Sequence, residues 1–333
     1  MKIIIPMAGR GTRLRPHTLT VPKPLVPVAG KPIVQHLVED LAKAYSGKID
    51  EVAFIIGDFG TAVEKQLVSM AERMGAKGSI YYQKEQLGTA HAILCAQESM
   101  QGPVIVAFAD TLFKADFKFD DSQEGIIWVK QVPDPSAFGV VKLDEKGHIT
   151  DFVEKPDTFV SDLAIIGIYY FKDAEYLRSE LQFLLDNNLR EKGEYQLTNA
   201  LENMKRKGTK FSTHTIEEWL DCGNKEAVLA ANHRVLEIKP EAATIAADAH
   251  LENVTIIPPV HIGSGAHIKN SVIGPHVTIG RGCRIQNSVI SRSLIQDAGK
   301  ITAKILVNSM LGSSVELLGT AAELSLGDYS IEK

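Results

Sequence analysis

The chain has 333 residues, 44% of them hydrophobic, with 36 Lys and Arg against 41 Asp and Glu and a formal net charge of −5. That length and apolar content supply one large or two medium domains, and the balanced, dispersed charge excludes a broad nucleic-acid-binding surface. Three cysteines, at 95, 222 and 283, are odd in number and far apart, which excludes a disulfide framework and zinc-ligand spacing and points to a reducing, cytoplasmic setting.

The first element is the apolar run Ile3-Ile4-Ile5, which predicts a buried strand over residues 2–7. It is too short for a signal peptide, and no run approaches the roughly 18 apolar residues of a membrane span. Directly after it comes Gly9-Arg10-Gly11-Thr12-Arg13-Leu14-Arg15-Pro16, followed by Pro22-Lys23-Pro24 and Gly30-Lys31-Pro32. Two glycines one residue apart let the backbone turn tightly and point several N–H groups at an anion. The first 38 residues carry six basic side chains (Lys2, Arg10, Arg13, Arg15, Lys23, Lys31) and no acid. In an acidic protein such a loop predicts a phosphate-bearing ligand. It is not a Walker A loop, since no Gly-Lys-Ser/Thr closes it, and the third glycine of a dinucleotide fingerprint would fall on Leu14. Pro22, Pro24 and Pro27 fix the loop geometry and limit its entropy loss on binding.

Up to residue 110, predicted strands at 52–56, 79–83 and 104–109 alternate with helices at 32–45, 61–74 and 88–100. The alternation predicts a parallel sheet with helices on both faces and a ligand at the carboxyl ends of its strands. The glycine loop and Asp110 both fall on that edge. Asp110 closes an apolar strand, where an uncompensated acid would not be tolerated. From 126 to 172 the pattern is strand-rich (126–130, 138–143, 148–154, 164–171). Helices at 174–187 and 195–207, a strand at 211–214 and a helix at 225–238 follow, and Lys239-Pro240 marks the domain boundary.

Beyond it, isoleucines fall at 256, 262, 268, 273, 279, 285, 290 and 295, and Asn-Ser-Val/Met-Ile/Leu recurs from Asn270, Asn287 and Asn308. A period of five to six is too long for a strand and wrong for a helix. It suits a parallel β-helix whose short strands each lend one aliphatic side chain to a stacked interior.

The segment 7–32 resembles the signature of the sugar-1-phosphate nucleotidyltransferases: Gly-x-Gly-Thr-Arg-Leu-x-Pro, then Pro-Lys-Pro, then a Lys-Pro entering a helix. His17 stands where an apolar residue is common. The resemblance covers about the first 240 residues. It implies an α/β fold: a Rossmann-like mixed-sheet catalytic domain over 1–239, followed by a hexapeptide-repeat left-handed parallel β-helix over 240–333. The reaction it implies is in-line attack of a sugar-1-phosphate oxygen on the α-phosphorus of an NTP. That attacker is already ionised, so the chemistry needs charge neutralisation and alignment, not a base or covalent nucleophile.

The resemblance gives Arg13 to the transition state and departing pyrophosphate, and Lys23 to the phosphates at the reacting centre. Ala8, Gly9, Gly11, Thr12, Gln83, Gly88 and Thr89 would hold the nucleotide. Mg²⁺ would be bound by Asp110, preceded here by Ala109 where the family has glycine, and by Asp221 within Trp219-Leu220-Asp221-Cys222-Gly223. Arg10 and Arg15 are equally well read as solvated surface charges. Gln83 offers one acceptor and one donor, matching N3–H and a neighbouring carbonyl of uracil or thymine, whereas the two adjacent donors of guanine favour a carboxylate. Gly139, Glu154 and Lys155 match the family's sugar-phosphate segments. Ile166 precedes Gly167 where some relatives place an asparagine, which favours glucose 1-phosphate over N-acetylglucosamine 1-phosphate.

The expected activity is therefore transfer from dTTP or UTP to a sugar 1-phosphate, by a homo-oligomer assembled through its β-helix. No nucleic-acid or membrane partner is expected. The alternatives are mannose-1-phosphate guanylyltransferase, a bifunctional uridylyltransferase/acetyltransferase using the histidines of the β-helix, and an inactive sensor or assembly subunit.

Overall fold

The computed structural model describes residues 1–114 and 120–320. Contacts divide the chain into two compact units: residues 1–26 with 31–224, and residues 27–30 with 225–333.

The first unit begins with β1 (Lys2–Pro6), α1 (Ile33–Ala44), β2 (Glu51–Ile56), α2 (Thr61–Arg73), β3 (Lys77–Tyr82), α3 (Thr89–Leu94), β4 (Val104–Ala107) and β5 (Thr111–Phe113). It continues with β6 (Gly125–Gln131), β7 (Gly139–Leu143), β8 (Ile149–Glu154), β9 (Leu163–Phe171), α4 (Ala174–Asp186), α5 (Leu197–Arg206), β10 (Phe211–Thr215) and β11 (Trp219–Asp221). The main sheet has nine strands in the order β8-β7-β9-β4-β1-β2-β3, with β6 paired to β9 and to β10. β1 lies between β2 and β4, parallel to both. That central place explains why Ile3, Ile4 and Ile5 are all fully buried, as a strand covered on both faces requires.

The sheet is mixed, because β9 runs antiparallel to β4 and to β6. The helix expected over 88–100 is shorter: it ends at Leu94 and resumes as a 3₁₀ turn over Gln97–Ser99. The strand expected to reach 109 leaves the sheet after Ala107, where Phe108 N–H turns to donate to Gly167 O at 2.9 Å. The antiparallel ribbon of β5 with β11 is not foreseen by periodicity, since three-residue strands carry too few positions to show a period.

In the second unit, α6 (Lys225–Ile238) precedes short strands whose pairings, among the described residues, are parallel. Ile262 pairs with Ile279 and Ile279 with Ile295, a coil of 17 residues followed by one of 16. Ile256, Ile273 and Ile290 form a second column, and Ile268, Ile285 and Ile301 a third. Three columns, one per side of the coil, are the source of the five-to-six-residue period. Corners need left-handed backbone, which Asn tolerates better than most residues. Asn253, Asn270 and Asn287 take φ of 51°, 49° and 51°. Their amides form a ladder, Asn253 Nδ2 donating to Asn270 Oδ1 at 3.0 Å and Asn270 Nδ2 to Asn287 Oδ1 at 3.2 Å.

The division between the units falls at Asn224/Lys225, so α6 counts with the second unit, while the sequence places it at the end of the first. The reason is Asn232, which is fully buried on α6 and accepts from Ala29 N–H at 2.9 Å and Thr278 Oγ1 at 2.7 Å. Residues 27–30 join this unit through Gly30, whose φ is +82° and where a Cβ would come within 2.2 Å of the His261 ring.

Candidate active site

The four parallel strands β1, β2, β3 and β4 end on one edge, so their following loops converge. Around them is a cavity of about 360 Å³ lined by Ala8, Gly9, Gly11, Thr12, Arg13, Lys23, Gln83, Gly88, Thr89 and Asp110. Every nucleotide-binding residue expected from the sequence is thus on one wall system. The loop is held from behind: Thr18 Oγ1 donates to Gly11 O at 2.7 Å and Gln86 Nε2 to Ala8 O at 3.0 Å. Gly11 has φ +58° and approaches Lys23 so closely that a Cβ would meet Lys23 Cβ at 2.8 Å. Gly88 is equally constrained, with φ +115° and the Tyr195 carbonyl 2.5 Å from where a Cβ would sit.

Two cations face this cavity in different states. Lys23 is 8% exposed, and its Nζ donates to Asp110 Oδ2 at 2.9 Å. A buried ammonium needs such a partner. Arg13 sits in the 3₁₀ turn Thr12–Leu14, is exposed, and makes no hydrogen bond or ion pair among the described residues. Arg10 and Arg15 are exposed and line neither this cavity nor the one beside it.

That second cavity, of about 470 Å³, holds Gly139, Glu154, Lys155, Asp221 and Gly167. Gly139 and Glu154 are register partners of the β7–β8 pair, and a Cβ on Gly139 would lie 3.1 Å from Glu154 Oε2. Burial pushes the Glu154 carboxyl above the usual glutamate range, against the pull of the Lys155 ammonium 3.7 Å away. Lys155 itself has φ +42°, a left-handed conformation that a lysine adopts only when its surroundings hold it there. Sequence reasoning missed two lining groups. Trp219 Nε1 and Thr198 Oγ1 are buried without a hydrogen-bond partner among the described residues, a state that costs free energy unless a ligand supplies the partner. Trp219, set edge-on to Phe138 at 4.8 Å, was legible only as a flag for Asp221, and nothing in the local sequence marks Thr198.

The two cavities share Arg13, Thr89, Phe108 and Asp110. Beside that junction the β5–β11 ribbon brings two distant backbone segments together: Asp221 pairs in register with Thr111, Cys222 N–H donates to Asp110 O at 3.0 Å, and Asp110 and Asp221 both line the second cavity. Burial first, then the charges of Asp221 and Asp110, push the Cys222 thiol far up, so it remains protonated. Two carboxylates on one cavity suit Mg²⁺, which takes one or two from protein and completes its shell with water and phosphate oxygens.

Gln83 is 8% exposed at the end of β3. Its Nε2 donates to Gly88 O at 3.2 Å and lies 3.2 Å from His91 Nδ1. The donor expected to face the base is therefore turned inward. The Oε1 acceptor remains for the cavity.

A mixed sheet whose strand-end loops carry an arginine without a partner among the described residues, a buried lysine and Asp110, beside a second polar cavity that also holds Asp221, is the arrangement of a nucleotidyltransferase. Residues 2–238 match the family model for nucleotidyl transferases and residues 240–317 that for the GlmU-like C-terminal hexapeptide domain, so the chain belongs to the nucleotidyl transferase family, in its sugar-1-phosphate branch. It is 34% identical to the low-salt glycan biosynthesis nucleotidyltransferase of Haloferax volcanii, over 76% of this chain and 71% of that protein. It is 40% identical to the catalytic subunit beta of mannose-1-phosphate guanylyltransferase from Danio rerio, over 55% and 52% of the two chains. It is 31% identical to the bifunctional protein GlmU of Methanococcus maripaludis, over 71% and 54%. The chain thus spans about half the length of the last two. Among solved structures, UDP-glucose pyrophosphorylase complexed with UDP-glucose superposes with a TM-score of 0.58 at 26% identity, over 71% of this chain and 98% of that one.

Proposed function

We propose that this enzyme transfers a nucleotidyl group from dTTP or UTP to glucose 1-phosphate, with Mg²⁺, giving the nucleotide sugar and pyrophosphate. The observation that carries this reading is the junction of the two cavities at Arg13 and Asp110. A nucleoside triphosphate in the first and a sugar phosphate in the second would meet there. Arg13, without a partner among the described residues, would bridge the phosphoryl oxygens as charge builds on the leaving pyrophosphate. Lys23 would neutralise phosphate at the reacting centre, exchanging some of its hold on Asp110 for the ligand. Mg²⁺ held by Asp110 and Asp221 would offset the repulsion between the two anions. On the sugar side Glu154, Thr198 and Trp219 supply acceptors and donors for hydroxyls, and Lys155 a cation for the phosphate.

The pyrimidine preference rests on Gln83 presenting a single acceptor. One acceptor serves the lone ring N–H of uracil or thymine, and only one of the two adjacent donors of guanine. Mannose-1-phosphate guanylyl transfer is the second reading, favoured by the identity to the Danio rerio subunit. Pyrophosphate release from each NTP with glucose 1-phosphate or mannose 1-phosphate separates the two. Fastest release with dTTP or UTP and glucose 1-phosphate supports the proposal, and a GTP–mannose preference replaces it.

We assign catalysis to residues 1–239 and assembly into a homo-oligomer to residues 240–333. The exposed aliphatic pair Val289 and Ile305 on successive coils supports self-association, since contiguous apolar surface favours a partner. Removing residues 240–333 is expected to change sedimentation more than turnover. Cys95, Cys222 and Cys283 are free thiols, in keeping with a cytoplasmic location. No helix among the described residues is long and apolar enough to cross a membrane.

A further inference from the structure

The orientation of the Gln83 amide is decided by its neighbours. Gly88 O can only accept, so the Gln83 atom 3.2 Å away must be the nitrogen. That nitrogen has a second hydrogen, and His91 Nδ1 lies 3.2 Å from it. With both hydrogens engaged, Oε1 is the only polar atom that Gln83 can turn to the cavity it lines. Gly88 cannot shift to release the amide, because the backbone around it is fixed by Ala90 N–H donating to Tyr195 O at 2.9 Å and Tyr195 N–H donating to Leu87 O at 2.8 Å. His91 belongs to α3 and does not line the cavity.

We propose that His91 is a positioning residue that locks the Gln83 carbonyl toward the nucleobase, so that the site takes bases carrying a ring N–H and refuses those presenting a bare ring nitrogen. Uracil, thymine and guanine carry that N–H at the Watson–Crick edge. Cytosine and adenine place a lone pair there, which would face the lone pairs of Oε1. The inference rests on the first cavity being the nucleotide site, as in the function proposed above. It requires Nδ1 of His91 to be an acceptor, hence a neutral ring protonated on Nε2. Burial lowers the His91 pKa, opposed by the charge and backbone of Glu85, so the neutral ring prevails near pH 7.

Without His91 the amide would be held at Gly88 O alone, and the second Nε2 hydrogen, now without its partner, could swing as a donor toward the ring nitrogen of cytosine or adenine. His91→Phe keeps a ring of similar breadth and removes the acceptor. His91→Asn keeps an acceptor and removes the ring. Titration calorimetry of the full chain with UTP, dTTP, GTP, CTP and ATP, without sugar phosphate, reads the effect apart from turnover. Wild type is expected to bind UTP on the order of tenfold or more tighter than CTP, the scale of one mispaired buried polar group. His91→Phe should bring that ratio to within about threefold, mainly by weakening UTP, and His91→Asn should recover part of it. The inference is overturned if wild type binds CTP or ATP as tightly as UTP, if it binds no NTP, or if His91→Phe retains the full ratio. A chain that shows the expected ratios but releases no pyrophosphate with any sugar 1-phosphate would refute the proposed activity and leave the role of His91 standing.

Discussion

The first unit and the β-helix bury comparable kinds of side chain by opposite means. In the β-helix each coil repeats its neighbour, and Ile262, Ile279 and Ile295 do the same task at successive levels. In the first unit no such repetition is present among the described residues, and the candidate site residues lie mostly in the connections between strands. The difference teaches that a periodic segment spreads its core over equivalent positions, while irregular loops can carry reactive groups outside the packed core.

The sharpest way to test this contrast is Arg13→Ala. The side chain is exposed and without partners among the described residues, so kcat should fall about 10³-fold with Tm unchanged, as read by pyrophosphate release and calorimetry. A large loss of Tm would show that the loop is structural. Ile285→Ala attacks the other side of the comparison. Ile285 is fully buried between Ile268 and Ile301, so the variant should lose about 3 kcal/mol in denaturant unfolding. Its turnover at low temperature should persist.

Glu154→Gln joins stability to function. The raised carboxyl pKa means that the folded state holds the proton more tightly than the unfolded state does. Wild-type stability therefore falls as pH climbs from the ordinary glutamate value through the folded one. Glutamine lacks that titration, so the variant should gain Tm relative to wild type across this window and keep the gain at pH 7, while KM for the sugar phosphate rises. A Tm difference that does not change with pH would contradict it. The smallest effect belongs to Asn270, with φ +49° and a place in the amide ladder. Asn270→Ala should cost about 1 kcal/mol and Asn270→Gly less, because glycine accepts the left-handed corner. Equal losses would assign the cost to the ladder instead.

The amino-acid sequence alone determined the glycine loop with its arginine and lysine, the acid Asp110 shortly after an apolar strand, and the stacked aliphatic interior of the C-terminal part. Each of these is a local pattern: a turn that only glycine allows, a charge just past an apolar run, a fixed period. Only the tertiary structure decided which strands of the mixed sheet run antiparallel, that α6 packs with the β-helix, and that Trp219 and Thr198 lack a hydrogen-bond partner among the described residues in a cavity wall. The direction of the Gln83 amide was decided there too. These depend on partners remote in sequence, such as Gly167 for Phe108, Thr278 for Asn232 and Asp110 for Cys222. Hydrogen-bond geometry and burial are properties of what the folded chain brings near, and no stretch of residues carries that information by itself.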